Sequence, residues 1–226
     1  GGAEGSCYGD VFNYLYAQGR ITNEISYHGG LPVYTVCDPG YHWPWGFFQI
    51  RNGEPIFLRA YEEIGLGVEK HAEILEKYRK EYGYRYGGHF APIDTEKNNA
   101  YKAVAGKSLY EHALDNGIEF TILPPEFRVN DGIERTRHFL YSCWFVKDDC
   151  ELLLDALEDY SMTEIKSVST ELQPVFSDVP ATSWSNHLAD MMRYASMVVK
   201  NNMILSTKEK ITIENIREFQ RAAGYA

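Results

Sequence analysis

The stretch Pro32-Val33-Tyr34-Thr35-Val36-Cys37-Asp38-Pro39-Gly40 decides the fold. Residues of strand character, among them the β-branched Val33, Thr35 and Val36, run directly into an aspartate and then into the turn pair Pro-Gly. A short, continuously apolar strand belongs in the middle of a sheet covered on both faces. A carboxylate at its end is either a turn or helix cap or part of a site.

Outward from this strand, Tyr41-His42-Trp43-Pro44-Trp45 reads as an aromatic loop. Residues 46–51 and 55–61 read as two strands joined through Asn52-Gly53, a strong hairpin signal, so three strands follow one another in antiparallel succession. Residues 68–82 have the periodicity of an amphipathic helix closed by Gly83, and 89–94 form a second short apolar strand that ends in an aspartate, Asp94. Further on, the spacing predicts a helix over 108–116 between Ser108 and Gly117, a strand over 118–123, a helix over 130–141, a strand over 144–146 and a helix over 148–159. A polar hairpin over 162–168 and 171–176 and a long helix over 183–200 follow. At the ends, 8–18 reads as a connecting helix. Residues 212–223 read as an amphipathic one whose Ile213, Ile216 and Phe219 make a stripe suited to docking a partner. The order suits an α/β fold, a mixed sheet with helices on both faces.

A chain of 226 residues, 44% hydrophobic and 24% charged, has the composition of a globular domain long enough to bury a core. No apolar run reaches the roughly 20 residues that span a bilayer, and no basic-then-apolar leader opens the chain, so no membrane role is expected. The four cysteines show neither CxxC pairing nor zinc-finger spacing and read as reduced and structural. Gly1-Gly2-Ala3 reads as a cloning scar, and the abrupt start suggests a piece of something longer. The net charge of -10 argues against a general nucleic-acid binder, yet the charge is uneven. Residues 70–107 carry eight Lys/Arg against five Asp/Glu, whereas 148–190 carry ten Asp/Glu against one lysine. Solvated helix faces of opposite sign account for this as well as a binding surface does.

In the helix over 183–200, Trp184, Leu188, Met191, Met192, Ala195, Val198 and Val199 fall on one stripe. His187 lies at its edge, and Asp190, three residues on, shares that flank. Asp38 and Asp94 at the ends of neighbouring parallel strands would meet at one sheet edge, with Asp190 brought across from the helix. Clustered carboxylates repel unless a cation offsets them, and an all-oxygen donor set points to Mg²⁺ or Mn²⁺. The matching chemistry is two-metal phosphodiester hydrolysis.

Strand-aspartate, hairpin, strand-aspartate and late helix-aspartate is similar to the ribonuclease-H-like arrangement. Phe176-Ser177-Asp178-Val179-Pro180 followed by Trp184-Ser185-Asn186-His187-Leu188-Ala189-Asp190-Met191-Met192-Arg193-Tyr194 resembles the end of the nuclease domain of the large terminase subunit of tailed bacteriophages. Glu4-Gly5-Ser6, Gly19-Arg20-Ile21 and Lys107-Ser108 resemble further elements of that family. The resemblance implies that Asp38, Asp94 and Asp190 are the metal ligands and His187 an accessory. It implies an endodeoxyribonuclease that uses two Mg²⁺ or Mn²⁺ ions to cut concatemeric double-stranded DNA in a viral genome-packaging motor, within the host cytoplasm. Expected partners are DNA, an ATPase domain of the same polypeptide, the small terminase subunit and the portal. On this reading 1–30 is linker and connecting helix, 31–200 the nuclease domain and 201–226 a tail. The family's second aspartate, five or six residues after the first, is replaced here by Trp43 and Pro44, with His42 beside them. A resolvase- or transposase-type nuclease of the same fold and a non-catalytic docking module remain as alternatives. Ala105-Gly106-Lys107-Ser108 lacks the first glycine of a phosphate-binding loop, so no ATP site is expected. Trp43 and Trp45 suit either packing or stacking on bases.

Overall fold

The computed structural model describes residues 4–201 together with 203 and 204. Seven strands make the main sheet: β1 (Ile21–Thr22), β2 (Val33–Cys37), β3 (His42–Arg51), β4 (Glu54–Ile64), β5 (Tyr86–Ala91), β6 (Phe120–Ile122) and β7 (Trp144–Val146), in the order β1-β7-β4-β3-β2-β5-β6. β2, β3 and β4 are antiparallel neighbours, and β5 and β6 add in parallel beside β2. On the far side β7 pairs with β4, and β1, a strand absent from the sequence reading, pairs with β7. α1 (Gly9–Ala17), α6 (Val129–Leu140), α7 (Glu151–Asp159) and α8 (Asn186–Lys200) share one core with the sheet. α2 (Val68–Tyr82) and α5 (Leu109–Asp115) share the other.

Each strand feeds both cores by its period of two. Tyr34 and Val36 of β2 join the α8 side, Val33 and Cys37 the α2 side, so Asp38 continues on the face that α8 covers. Gly46 makes room for that helix: a Cβ there would stand 3.0 Å from Met191 Cε.

The expected aromatic loop is instead the start of β3. Trp43 and Trp45 stack 6.0 Å apart and are almost wholly buried against His71, which decides for packing. The hairpin turn is as expected, with Asn52 and Gly53 both at positive φ. A second departure concerns Asp94. β5 stops at Ala91 because Pro92 cannot donate to a ladder, and Asp94 opens the short helix α3 (Asp94–Lys97). α4 (Asn99–Ala105) follows, and the phosphate-loop lookalike is the junction between it and α5: Gly106 closes one helix at φ 77 and Ser108 caps the next. β8 (Met162–Glu164) and β9 (Phe176–Pro180) make the late hairpin, its second strand lying further on than expected. Trp184 precedes α8 and is half exposed, so it leaves the apolar stripe. The expected helix over 212–223 lies outside the described residues. The cysteines are buried and unpaired, and among the described residues no helix is long and apolar enough to cross a membrane.

Candidate active site

Asp38 follows the last residue of β2, and its N–H donates to the Pro44 carbonyl across the strand pair at 3.2 Å. Burial, then the Asp190 charge, then that of Asp94, push its carboxyl up to about 7, with the Arg193 guanidinium pulling the other way. Asp38 and Asp94 open onto one cleft. Asp38 thus lies within electrostatic reach of both Asp190 and Asp94, although Asp94 stands exposed on α3 rather than at the strand end the sequence reading expected.

Asp190, half-buried on α8, is raised by burial, with Arg193 and His187 opposing and Glu126 adding to the rise. Its Oδ1 accepts from Arg193 Nη1 at 2.7 Å. Arg193 in turn donates from Nε to Glu126 Oε2 at 3.0 Å, and Glu126 also accepts from Arg135. Burial works against the Arg193 charge, but Asp190 and Glu126 outweigh it and keep the guanidinium protonated. The sequence reading quoted Arg193 without assigning it a role and missed Glu126. The i, i+3 spacing of Asp190 and Arg193 was the available signal for the first; nothing local marks the second.

His187 stacks on His42 at the other flank of Asp190, and His42 Nδ1 lies 3.3 Å from Glu62 Oε2. Glu62 was also missed. Its Oε1 is buried with no hydrogen-bond partner, an acceptor in search of a cation or donor. It stands directly across from Pro44, on the α8 face of the sheet. Asp178, by contrast, is exposed on β9, and its backbone carbonyl accepts from Asn130 Nδ2 at 2.9 Å.

Among the described residues, no three carboxylate, imidazole or thiol side chains are gathered into a ready metal-binding group. The donor set fits a hard divalent cation by its chemistry. It offers oxygen ligands, a carboxyl whose proton affinity is raised by burial and then by its like-charged neighbours, and an orphaned carboxylate oxygen at Glu62.

Strand order and carboxylate-bearing elements together define a ribonuclease-H-like α/β fold. No family model and no curated protein matches the sequence. Solved structures do match. The large terminase nuclease from thermophilic phage G20c with bound magnesium aligns at a TM-score of 0.54 and 14% identity, over 86% of this chain and 97% of that one. The large terminase from a second thermophilic bacteriophage, in complex with ADP, aligns at 0.55 and 16% identity, over 78% of this chain but 42% of that one. The chain therefore has the fold of large terminase nuclease domains, and spans about two fifths of the length of the ADP-bound protein.

Proposed function

We propose that this chain is a metal-dependent endodeoxyribonuclease, the nuclease domain of a viral genome-packaging motor, which cuts concatemeric double-stranded DNA by two-metal phosphodiester hydrolysis. The observation that supports the reading is Asp38 at the end of β2, where burial and then the charges of Asp190 and Asp94 hold a proton on its carboxyl that a cation would displace. Asp38, Asp94 and Asp190 would hold Mg²⁺ or Mn²⁺, with Glu62 within the same face of the sheet. Such ions supply charge neutralisation and Lewis acidity to phosphodiester chemistry.

The chain's own residues do the rest. Arg193 fixes one oxygen of Asp190, and Glu126 fixes Arg193, so the helix carboxylate presents its other oxygen in a set direction. His187, held flat by His42, flanks Asp190 and orients water or a phosphate oxygen. Lys97 and Lys102, exposed on α3 and α4 beyond Asp94, give the strand a cationic border. Residues 1–30 would lead from an ATPase domain of the same polypeptide, and the small subunit and portal would supply the rest of the motor in the host cytoplasm. The test is relaxation and linearisation of supercoiled plasmid with Mg²⁺ or Mn²⁺, against EDTA and against Asp38→Asn. Cleavage that needs the metal and the aspartate supports the enzyme; a folded protein inert in every divalent ion leaves a non-catalytic docking module.

A further inference from the structure

The fold divides the aromatic run 41–45: Trp43 and Trp45 turn into the core, whereas Tyr41 stays 74% exposed. Among the described residues one aromatic side chain is more exposed still, Phe127 at 91%, and the next two, Tyr16 and Trp184, reach only 52%. Both rings sit on loops at the same edge of the sheet. Tyr41 lies between the end of β2 at Cys37 and the start of β3 at His42, and Phe127 lies in the link from β6, which ends at Ile122, to α6. β2, β5 and β6 are parallel, so these loops leave the edge from which Asp38 and Asp94 also emerge. In the strand order β3-β2-β5-β6 the two carboxylates fall between the two rings.

The rings are held as well as exposed. The Tyr41 carbonyl accepts from Gly65 N–H at 2.8 Å, and a Cβ on Gly65, which has φ 73, would stand 3.3 Å from Tyr41 Cε2, so the ring lies along bare backbone. His42 packs edge-on against it with centroids 5.7 Å apart, and Tyr41 borders the cleft that Asp38 and Asp94 open onto. Phe127 follows Pro124-Pro125, whose rings fix φ, and Glu126, which Arg135 and Arg193 pin. Loops about two to three strand spacings apart stand roughly 10–15 Å from each other, which covers about three to four nucleotides at a rise of about 3.4 Å.

We propose that Tyr41 and Phe127 are a pair of stacking platforms for a DNA strand, one on each side of the phosphodiester that Asp38 and Asp94 face. The inference rests on the nuclease reading and names how that site grips its substrate. Every base presents a π-face, so stacking is tolerant of sequence, and it needs no cation, which suits a chain of net charge -10. Bases already unpaired reach the rings at least cost in unstacking, so a single or frayed strand binds better than an intact duplex. With two carboxylates between them, the rings do not make the contiguous apolar patch that docks a protein.

The test is read without cleavage. Binding of the full chain to a fluorescent mixed-sequence single strand, and to the same strand in duplex, is measured by anisotropy in EDTA over a range of salt, with melting curves beside it. Tyr41→Ala and Phe127→Ala should each weaken single-strand binding about fivefold or more. Neither should move the slope of log affinity against log salt, since a stacking contact releases no counterions. Tyr41→Phe should bind as wild type does, whereas Tyr41→Leu and Phe127→Leu should not, because the flat face makes the contact and neither the hydroxyl nor apolar bulk replaces it. Should an alanine variant fail to fold, the leucine variants still decide. No saturable binding, tighter binding of the duplex, a salt slope that falls with the rings, or alanine or leucine variants that bind as wild type would each overturn the proposal, the last by assigning the rings to a protein surface. Ring-dependent binding without metal-dependent plasmid cleavage keeps the platforms and removes the nuclease; metal-dependent cleavage with ring-independent binding does the reverse.

Discussion

His187 of α8 lies face to face on His42 of β3, the ring centroids 4.3 Å apart and the planes 8° from parallel. The contact fixes the helix against the hairpin at the residue that flanks Asp190, and Glu62 steadies His42 from behind. His187→Ala should lower the cleavage rate about tenfold or more without abolishing it, the scale seen when a neighbour of a ligand is lost. His42→Ala should act in the same direction, and the double variant should cost less than the two singles combined, since each loses the same stack. Rates per folded molecule, taken beside melting curves, check this; a lower melting temperature with an unchanged rate would make the pair structural only.

The aspartates behave differently. Asp38→Asn, Asp94→Asn and Asp190→Asn should each abolish plasmid nicking while leaving the fold intact, because each removes an oxygen ligand and relieves repulsion. Near-normal nicking by any one removes that residue from the site.

Asp38 also sets a pH dependence in metal-free protein. Its carboxyl holds a proton up to about pH 7 in the folded chain, but only to about 4 when unfolded. Across that window the folded state binds more protons, so this group's contribution to stability falls as pH rises, by on the order of 4 kcal/mol in all. His71 and His89, held by burial down at about 4, act oppositely over pH 4 to 6.5, their contribution rising with pH. The comparison of wild type with Asp38→Asn in EDTA cancels the histidines. The variant's melting advantage should grow from about pH 4 to 7 and then level; a constant difference would refute the assignment.

Why the sequence showed three carboxylates and hid their supports is a matter of range. The run 33–37, ending at Asp38, announces a buried strand and its terminal charge from neighbours alone, and the period of α8 carries Asp190. Asp94 was expected at a strand end, but Pro92 ends β5 before it and Asp94 opens α3. Glu62 could not be found from local pattern. Counting back from the Asn52-Gly53 turn sets Tyr61 across from Pro44, but the register shifts between Phe47 and Phe48. Phe48 pairs with Phe57, whereas Phe47 pairs with Arg59, and this extra residue in β4 turns Glu62 to the α8 face. Glu126 lies in an irregular stretch 67 positions from Arg193, a contact only the folded chain makes.

That contact is the next prediction. Arg193 and Glu126 keep only 7% and 9% of their side chains exposed, so removing either breaks a buried ion pair and leaves the survivor with one partner, Arg135 for Glu126 and Asp190 for Arg193. Because each survivor keeps a partner, Arg193→Ala and Glu126→Ala should each cost less than the about 3–5 kcal/mol of a fully orphaned buried charge in denaturant unfolding, whereas Arg193→Met with Glu126→Leu should recover part of that loss in stability but not in cleavage. Full activity in the double variant would mean that Asp190 needs no holding.

Finally, the isolated chain should cut double-stranded DNA weakly and with little sequence preference. The net charge is -10, and residues 70–107, the most basic segment, hold an excess of only three positive charges. Part of that segment is already spent internally: Lys70 pairs with Glu73, Arg79 and Lys80 with Glu76, and Lys107 with Asp115. Few cations of the segment therefore remain for phosphates. Each phosphate contact adds about 0.9 to the slope of log affinity against log salt, so a footprint of about three contacts implies a slope near 3 rather than the roughly 5–9 of proteins that make about 6–10 such contacts. Nor, among the described residues, does any helix present the clustered Arg, Asn and Gln that read the major groove, so the isolated chain should show no preferred cut site. Binding to random-sequence and defined-end duplexes from low to moderate salt measures both parts. Nanomolar affinity with a steep salt slope, or one preferred cut site in the isolated chain, would show that it carries its own DNA-recognition surface.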